Sequence, residues 1–345
     1  MNPFTTLKYI PHSKELLDIA FARASKLTLP KSKKPAHIRS RTREIAKLNK
    51  VEDILTTRLQ EIVKRFPNFD AIHPFYRTLA DTTVPIDNLR QALASVTSAV
   101  RVIKNIVRDS IQKLKRAETS ADARRIRSAA YGRISSVIKR IESRLTLIQQ
   151  AAKEYRRFPS INLNTPVIVI AGYPNVGKSS LVTWLSSATP EIAEYPFTTK
   201  TISVGHLTTD SEELQVLDLP GLLDRPMTKR NVVEQRAIAA IQYLADVIVF
   251  LFDPTLTCGY EVSSQVALFN EITRAFTEVE IIPVINKSDI ATNEEIHKAH
   301  SLIQRSDIPT FSTLTGENVE LVFRDIITQS KKIQEKRTAR LVQSL

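Results

Sequence analysis

Hydrophobic residues follow two patterns along the chain, and the change from one to the other comes near residue 160. Before that point, apolar residues recur every three or four positions, which is typical of amphipathic helices. After it, short runs of β-branched residues alternate with helical segments, which is typical of βα units in a mostly parallel sheet. The pattern therefore predicts an all-helical domain over residues 1–160 and an α/β domain over residues 161–345.

In the helical half, the pattern predicts a long helical hairpin. Ser13 is the expected N-cap of the first helix, and Thr119 and Asp122 have the spacing of a capping box between the two longest helices. Because the turn between these helices is short, we expect them to pack antiparallel. The predicted helices are residues 13–27, 37–65, 86–117 and 121–155, with a short segment around residues 72–79.

The first predicted strand of the second half leads directly into a phosphate-binding motif. Gly172 and Gly177 bracket four residues before Lys178 and Ser179, which gives the pattern G-x-x-x-x-G-K-S. The glycines let backbone N–H groups converge on a phosphate, Lys178 supplies a positive charge, and Ser179 supplies a hydroxyl for Mg²⁺. The predicted nucleotide-binding stretch is Gly172, Tyr173, Pro174, Asn175, Val176, Gly177, Lys178, Ser179 and Ser180.

Three further motifs each follow a predicted strand. Asp218 and Gly221 form D-x-x-G, in which the carboxylate reaches Mg²⁺ through water and the glycine N–H meets the γ-phosphate. N-K-x-D follows later, and its Asp can accept two hydrogen bonds from guanine N1 and N2, which adenine cannot offer. A last loop supplies backbone N–H groups to guanine O6. The residues of these last two motifs are Asn286, Lys287 and Asp289, then Ser312, Thr313 and Leu314.

Together these motifs predict the fold class and the nucleotide. The fold is an α/β P-loop GTPase domain, with helices on both faces of a mostly parallel sheet, preceded by an all-α N-terminal domain. The ligand is GTP or GDP with Mg²⁺. Strands are predicted over residues 167–171, 202–207, 213–217, 245–252, 279–285 and 310–312, and a final helix over 319–340.

The order of motifs resembles the translation-factor-related small GTPases, and whole stretches are similar to the Nog family, the nucleolar-type GTP-binding proteins of the Obg group. By this similarity, Thr199 in the first switch binds Mg²⁺ and senses the γ-phosphate, and Lys178, Thr199 and Gly221 are the catalytic groups. Asn175 resembles an asparagine that holds K⁺ in related GTPases, although it could simply stabilise the loop turn. The similar stretches are residues 13–20, 66–75, 158–162, 172–180, 195–201, 221–226 and 230–238.

Charge divides the chain at the same place. Residues 1–160 carry 33 Lys and Arg against 14 Asp and Glu, whereas residues 161–345 carry 16 against 22. A strongly basic half with few acidic neighbours indicates contact with a polyanion, here RNA bound through its phosphates. The cations expected on the outer faces of the hairpin are Arg101, Lys104, Arg108, Lys113, Lys115, Arg116, Arg124, Arg125, Arg127, Arg133, Lys139, Arg140 and Arg144.

The resemblance implies a GTPase in assembly of the large ribosomal subunit, with the helical domain lying on ribosomal RNA. The nuclear members carry a long basic extension, whereas this chain ends soon after its last predicted helix, which favours an archaeal-type, cytoplasmic short form. No signal peptide or membrane span is evident, and the single Cys258 excludes an internal disulfide. We expect a monomer when the protein is free.

The residue after Gly221 is Leu222, where Ras-like proteins place the glutamine that orients the attacking water. A leucine cannot hydrogen-bond this water, so slow intrinsic hydrolysis is expected. Arg225 and Arg230 in the same segment are interpreted as a basic, RNA-facing surface rather than as a catalytic arginine. Two alternatives to an assembly GTPase stay open: an RNA-binding scaffold with structural GTP, and a signalling G-protein whose helices bind a protein partner.

Overall fold

The chain, seen in a computed structural model, forms two compact units. The structure describes residues 2–30, 33, 35–187, 189–194, 201–209, 212–226, 230–305 and 307–343. The helical unit comprises residues 3–72 and 84–156, and the sheet unit comprises Asn2, residues 73–83 and the described residues from 157 onward.

The helical unit contains only helices, and the sheet unit contains both helices and strands. The helices are α1 (Ser13–Ser25), α2 (Ala36–Arg65), α3 (Pro74–Thr83), α4 (Ile86–Lys115), α5 (Ser120–Arg140), α6 (Glu142–Tyr155), α7 (Lys178–Leu185), α8 (Val232–Ile241), α9 (Val262–Ala275), α10 (Asn293–Ile303) and α11 (Val319–Gln343). The strands are β1 (Val167–Ala171), β2 (Glu191–Glu194), β3 (Thr201–Thr209), β4 (Glu212–Asp218), β5 (Val247–Phe252) and β6 (Glu280–Ile285). Among the described residues, no helix is both long enough and apolar enough to cross a membrane.

The predicted hairpin is present, but its second arm is not one helix. α5 ends and α6 begins at Ile141, which interrupts the helix predicted over residues 121–155. Thr119 caps α5 as predicted, since its Oγ1 accepts the Asp122 N–H at 3.0 Å. Apolar residues of both arms, such as Leu114 and Ile134, are fully buried in the unit's core.

The start of α1 differs from the prediction. Ser13 is the first helical residue rather than the N-cap, which is His12 without a capping side chain. The Glu142 carboxylate, at the start of α6, instead accepts the Ser13 N–H at 2.8 Å. The Ser13 contacts outweigh partial burial and lower the pKa of Glu142. A cap supplied from 129 residues away leaves no local sequence signal.

The sheet has the order β2-β3-β4-β1-β5-β6, and three of its five strand pairings are parallel. β1 pairs in parallel with β4 and β5, and β5 with β6, whereas β2 and β3 form an antiparallel extension next to β4. All residues of β1 and β5 are buried, as expected for central strands covered on both faces. The strand predicted over residues 310–312 is reduced to an isolated bridge between Thr310 and Ile285. β2 was not predicted.

α3 packs with the sheet unit, although the boundary predicted at residue 160 assigns it to the helical half. It contacts α8. The Tyr76 hydroxyl donates to the Pro159 carbonyl at 2.9 Å and accepts the Ile161 N–H at 3.1 Å. Burial raises the pKa of Tyr76 to about 12, only partly offset by the Ile161 hydrogen bond. Two buried hydrogen bonds and a helix contact thus decide where α3 packs.

Candidate nucleotide-binding site

The loop between β1 and α7 has the shape of a phosphate-binding loop. Gly177 has a φ of 102°, and a Cβ built on it would lie 2.2 Å from Asn286 Nδ2, so a side chain there would clash. α7 begins at the next residue, Lys178, which places a helix N-terminus at the loop. The buried Lys178 ammonium donates to the carbonyl oxygens of Gly172 and Tyr173 at 2.9 and 2.7 Å. The loop therefore folds around the lysine.

The tip of this loop is exposed and tightly turned. Asn175 has a φ of 63°, a left-handed conformation that Asn tolerates better than most residues. This conformation is reason enough for an asparagine at the turn, and its suggested K⁺ contact stays a prediction. Val176 is fully buried beneath the tip, while Pro174 is half-buried and Ser180, in the first turn of α7, is exposed.

Ser179 and Asp218 come together where β1 and β4 end. The two strands are paired with Ile170 opposite Asp218, and Ser179 Oγ lies 2.5 Å from Asp218 Oδ2. Mg²⁺ prefers oxygen ligands and is commonly held by one or two protein groups plus phosphate oxygens. A hydroxyl and a carboxylate side by side fit such an ion, so these two residues would hold it beside the phosphates. Thr199, the third predicted ligand, lies outside the described residues.

Asn286 joins three of the predicted motifs. It is fully buried, and its Nδ2 donates to the Val176 carbonyl at 2.8 Å and lies 3.2 Å from Thr313 Oγ1. Its Oδ1 accepts the Thr313 N–H at 3.0 Å. One side chain thus fixes the phosphate loop, the N-K-x-D motif and the last loop against each other, although the first and the last of these are more than 130 residues apart in sequence.

Lys287 is held by an aspartate that the sequence analysis missed. Its ammonium lies 2.6 Å from both Asp253 Oδ2 and Thr257 Oγ1. Asp253 is fully buried and also accepts hydrogen bonds from Thr255 and the Cys258 N–H. Burial raises the pKa of Asp253, but the hydrogen bonds from Lys287 and Thr255 outweigh it and leave the pKa below its ordinary value. The available signal was an Asp immediately after a buried strand, where parallel sheets form their sites.

The two elements predicted to contact the base differ in how they are held. Among the described residues, no group hydrogen-bonds the half-buried Asp289 carboxylate, which leaves its acceptors for a ligand. Ser312 is buried, and its Oγ accepts the N–H groups of Leu314 and Thr315, both at 3.2 Å. Ser312 therefore shapes the loop, while the Leu314 side chain is 84% exposed.

The segment after β4 contains a buried polar cluster. The Gly221 N–H donates to Asp224 Oδ2 at 2.8 Å, and the Gly221 carbonyl accepts from Arg230 Nη1 at 2.7 Å. The Arg230 side chain is fully buried, so the interpretation of Arg230 as RNA-facing was wrong, whereas Arg225 is exposed and pairs with Glu234. The segment contacts the phosphate loop directly, because the Gly172 N–H donates to the carbonyl of Leu223 at 3.1 Å.

On the helical unit, twelve of the thirteen predicted outer cations are exposed. The exception is Arg127, whose Nε lies 2.5 Å from a carboxylate oxygen of the buried Glu44 and whose guanidinium lies 4.9 Å from the centre of the Tyr131 ring. Arg41, in the basic start of α2, also has an internal role: it donates to the carbonyl oxygens of Lys115 and Ala117, both at 2.7 Å. The remaining cations form a broad basic surface.

The fold and the site together define the class of the protein. The protein has parallel central strands, a phosphate loop between β1 and α7, and motifs joined at Asn286. These features define a P-loop GTPase domain, here preceded by a helical domain. Residues 4–162 match the family model of the NOG1 N-terminal helical domain, and residues 232–289 match that of Nucleolar GTP-binding protein 1 (NOG1). The chain belongs to the Nog family, and the predicted family and fold class are confirmed.

Relatives of two lengths match the chain. Nucleolar GTP-binding protein 1 of Eremothecium gossypii is 32% identical over 91% of this chain and 50% of its own length, and that of Arabidopsis thaliana is 33% identical over 94% and 49%. The chain thus spans about half the length of these relatives. An uncharacterized Methanocaldococcus jannaschii protein is 32% identical over 86% of this chain and 83% of its own. A crystal structure of a Plasmodium falciparum nucleolar GTP-binding protein 1 is 30% identical, covers 54% of this chain and 96% of that one, and has a TM-score of 0.45.

Proposed function

We propose that this protein binds GTP, hydrolyses it slowly to GDP and phosphate, and acts as an assembly factor for the large ribosomal subunit. The observation that carries the nucleotide part is the set of Asn286 contacts, because they join the phosphate loop to the N-K-x-D motif and the last loop. Support for the RNA part comes from the basic surface of the helical unit and from relatives named nucleolar GTP-binding proteins. A relative that matches over 83% of its own length is archaeal, which supports a cytoplasmic location.

The roles of individual groups in this proposal follow from charge and position. Lys178 replaces its contacts to the loop carbonyls with contacts to β- and γ-phosphate oxygens, and Asp289 binds guanine. Ser179 and Asp218 would hold Mg²⁺, which would neutralise phosphate charge at the site. Water attacks the γ-phosphorus, the bond to the β-phosphate oxygen breaks, and inorganic phosphate leaves.

The proposal that hydrolysis is slow is based on Leu222. Its side chain is only 1% exposed, so it lies in the protein interior. It has no group that could orient water in any case. This observation also favours a second candidate function, in which bound GTP is structural and the protein is an RNA-binding scaffold. The two candidates differ in whether variants that bind but do not hydrolyse GTP support ribosome assembly.

The experiment that tests the nucleotide assignment compares GDP and ADP binding by calorimetry in the wild type and in Asp289→Ala. We expect the wild type to bind GDP at least about a hundredfold more tightly than ADP, because unpaired polar groups at a site are costly. The variant should lose most of this preference. Glu294→Ala, an exposed acidic residue five positions away, serves as the control and should behave as the wild type. Equal affinity of the wild type for GDP and ADP would refute the assignment.

A further inference from the structure

The N–H and the carbonyl group of Gly221 are both held by buried charged side chains. Its N–H donates to Asp224 Oδ2 at 2.8 Å, and its carbonyl accepts from Arg230 Nη1 at 2.7 Å. Arg230 also donates through Nη2 to the Arg225 carbonyl at 3.0 Å and lies 3.9 Å from Asp224. Both side chains are buried, so water does not compete strongly for these contacts.

The Gly221 N–H is the same donor that the γ-phosphate of GTP would use in the proposed function. A carboxylate oxygen and a γ-phosphate oxygen are both anionic acceptors, so they cannot occupy one N–H together. GDP has no γ-phosphate and therefore does not need this N–H as a hydrogen-bond donor. The contact between Asp224 and Gly221 is therefore compatible with GDP and incompatible with GTP.

We propose that Asp224 is a specificity-determining residue that favours GDP over GTP by occupying the Gly221 N–H. This inference rests on the proposed function and adds a residue that sets the nucleotide preference of its switch. GTP binds only when Asp224 leaves Gly221, so the measured affinity for GTP is the intrinsic affinity multiplied by the fraction of molecules in which Asp224 has left. Arg230 stabilises the arrangement in which Asp224 occupies the Gly221 N–H, because Arg230 donates to the Gly221 carbonyl and lies close to Asp224.

A purely structural role for Asp224 makes a different prediction. In that case its carboxylate only closes the turn between β4 and α8, and its removal weakens the segment for both nucleotides. Competition with the γ-phosphate instead predicts that removal of the carboxylate strengthens binding of the triphosphate alone. A gain of affinity on loss of a side chain is an outcome that a structural role does not give.

The test measures dissociation constants of the 345-residue chain for GDP and for a non-hydrolysable GTP analogue by calorimetry. Asp224→Ala should bind the analogue about tenfold more tightly relative to GDP, since a hydrogen bond to a charged group is released. Asp224→Asn keeps an acceptor without the charge, so its shift should be smaller, and it decides the question if the alanine variant fails to fold. Glu234→Gln removes a charge from the same segment without a contact to Gly221 and should leave the ratio unchanged.

The outcomes separate this inference from the function on which it rests. An unchanged or lower preference for the analogue in both Asp224 variants, with GDP binding intact in the wild type, overturns the role of Asp224 and leaves the guanine-nucleotide site standing. A wild-type chain that binds neither GDP nor the analogue overturns the proposed function and this inference with it.

Discussion

At the scale of single residues, the site depends on side chains that connect motifs rather than on the motifs alone. Asn286 links the phosphate loop to the last loop. The carboxylate of the fully buried Asp253 accepts a hydrogen bond from the Lys287 ammonium at 2.6 Å. A buried carboxylate with several hydrogen bonds is stabilising only while it is ionised and paired. Asp253 therefore controls the position of a residue that the motif pattern treats as independent.

This role predicts a pH-dependent effect of Asp253→Asn. Because the pKa of Asp253 is lowered in the folded protein, its ionised form stabilises the fold above the ordinary aspartate pKa, and this contribution is lost as the pH falls through the lowered value. At pH 7 the variant should be less stable by about 1–3 kcal/mol. Urea unfolding at a series of pH values measures the difference, which should shrink in acid.

Asp307→Asn is the matched control for this comparison, because Asp307 is exposed. It should unfold at nearly the same urea concentration as the wild type at every pH. A difference between wild type and Asp253→Asn that stayed constant down to the lowest pH would show that the Asp253 charge does not stabilise the fold.

At the scale of elements, two helix boundaries depend on partners distant in sequence. Glu142 accepts the N–H of Ser13 at the start of α1, and Arg41 of α2 donates to the carbonyl oxygens of Lys115 and Ala117 at the end of α4. Helix ends leave several backbone groups without helical partners, and these must be satisfied elsewhere. The packing of the helical unit therefore decides where its helices end.

Arg41→Ala is expected to destabilise the helical unit by about 1–3 kcal/mol, because it removes charge-assisted hydrogen bonds to the carbonyl oxygens of Lys115 and Ala117. Thermal unfolding monitored by circular dichroism measures the effect. Arg43→Ala removes the same charge from an exposed position on the same helix and should change stability by less than about 0.5 kcal/mol. Equal losses in the two variants would contradict the capping role of Arg41.

The same contacts show how far the sequence could predict the structure. Strongly periodic helices and buried strands, such as α4 and β5, were predicted to within a few residues, because burial alone fixes them. The break at Ile141, the position of α3 and the short β2 were not, since each depends on contacts made only after folding. In the site, the motif residues could be identified from their spacing in the sequence. The contacts of Asp224 and Arg230 with Gly221 could be identified only from distances in the structure.

At the scale of the whole molecule, charge divides the chain into a basic part and an acidic part. Residues 1–160 carry a net charge of +19 and residues 161–345 a net charge of −6. Within the described residues, the exposed cations of α4 include Arg101, Lys104 and Arg108, which lie three and four positions apart and so share one face of the helix. Such a face suits a phosphate backbone, and its binding should weaken steeply with salt.

The most direct test of the account is co-sedimentation of the protein with large ribosomal subunits and their precursors, with GDP or a non-hydrolysable GTP analogue bound. We predict binding to precursors that differs between the two nucleotides. A variant with Arg101, Lys104 and Arg108 changed to Gln should bind more weakly, and the slope of log affinity against log salt should fall by about two to three. A variant with Lys298, Arg305 and Arg324 changed to Gln, exposed cations of the sheet unit, should bind as the wild type does. Absence of binding at low salt would contradict the ribosomal function. Equal binding with GDP and with the GTP analogue would contradict the proposal that the nucleotide controls binding.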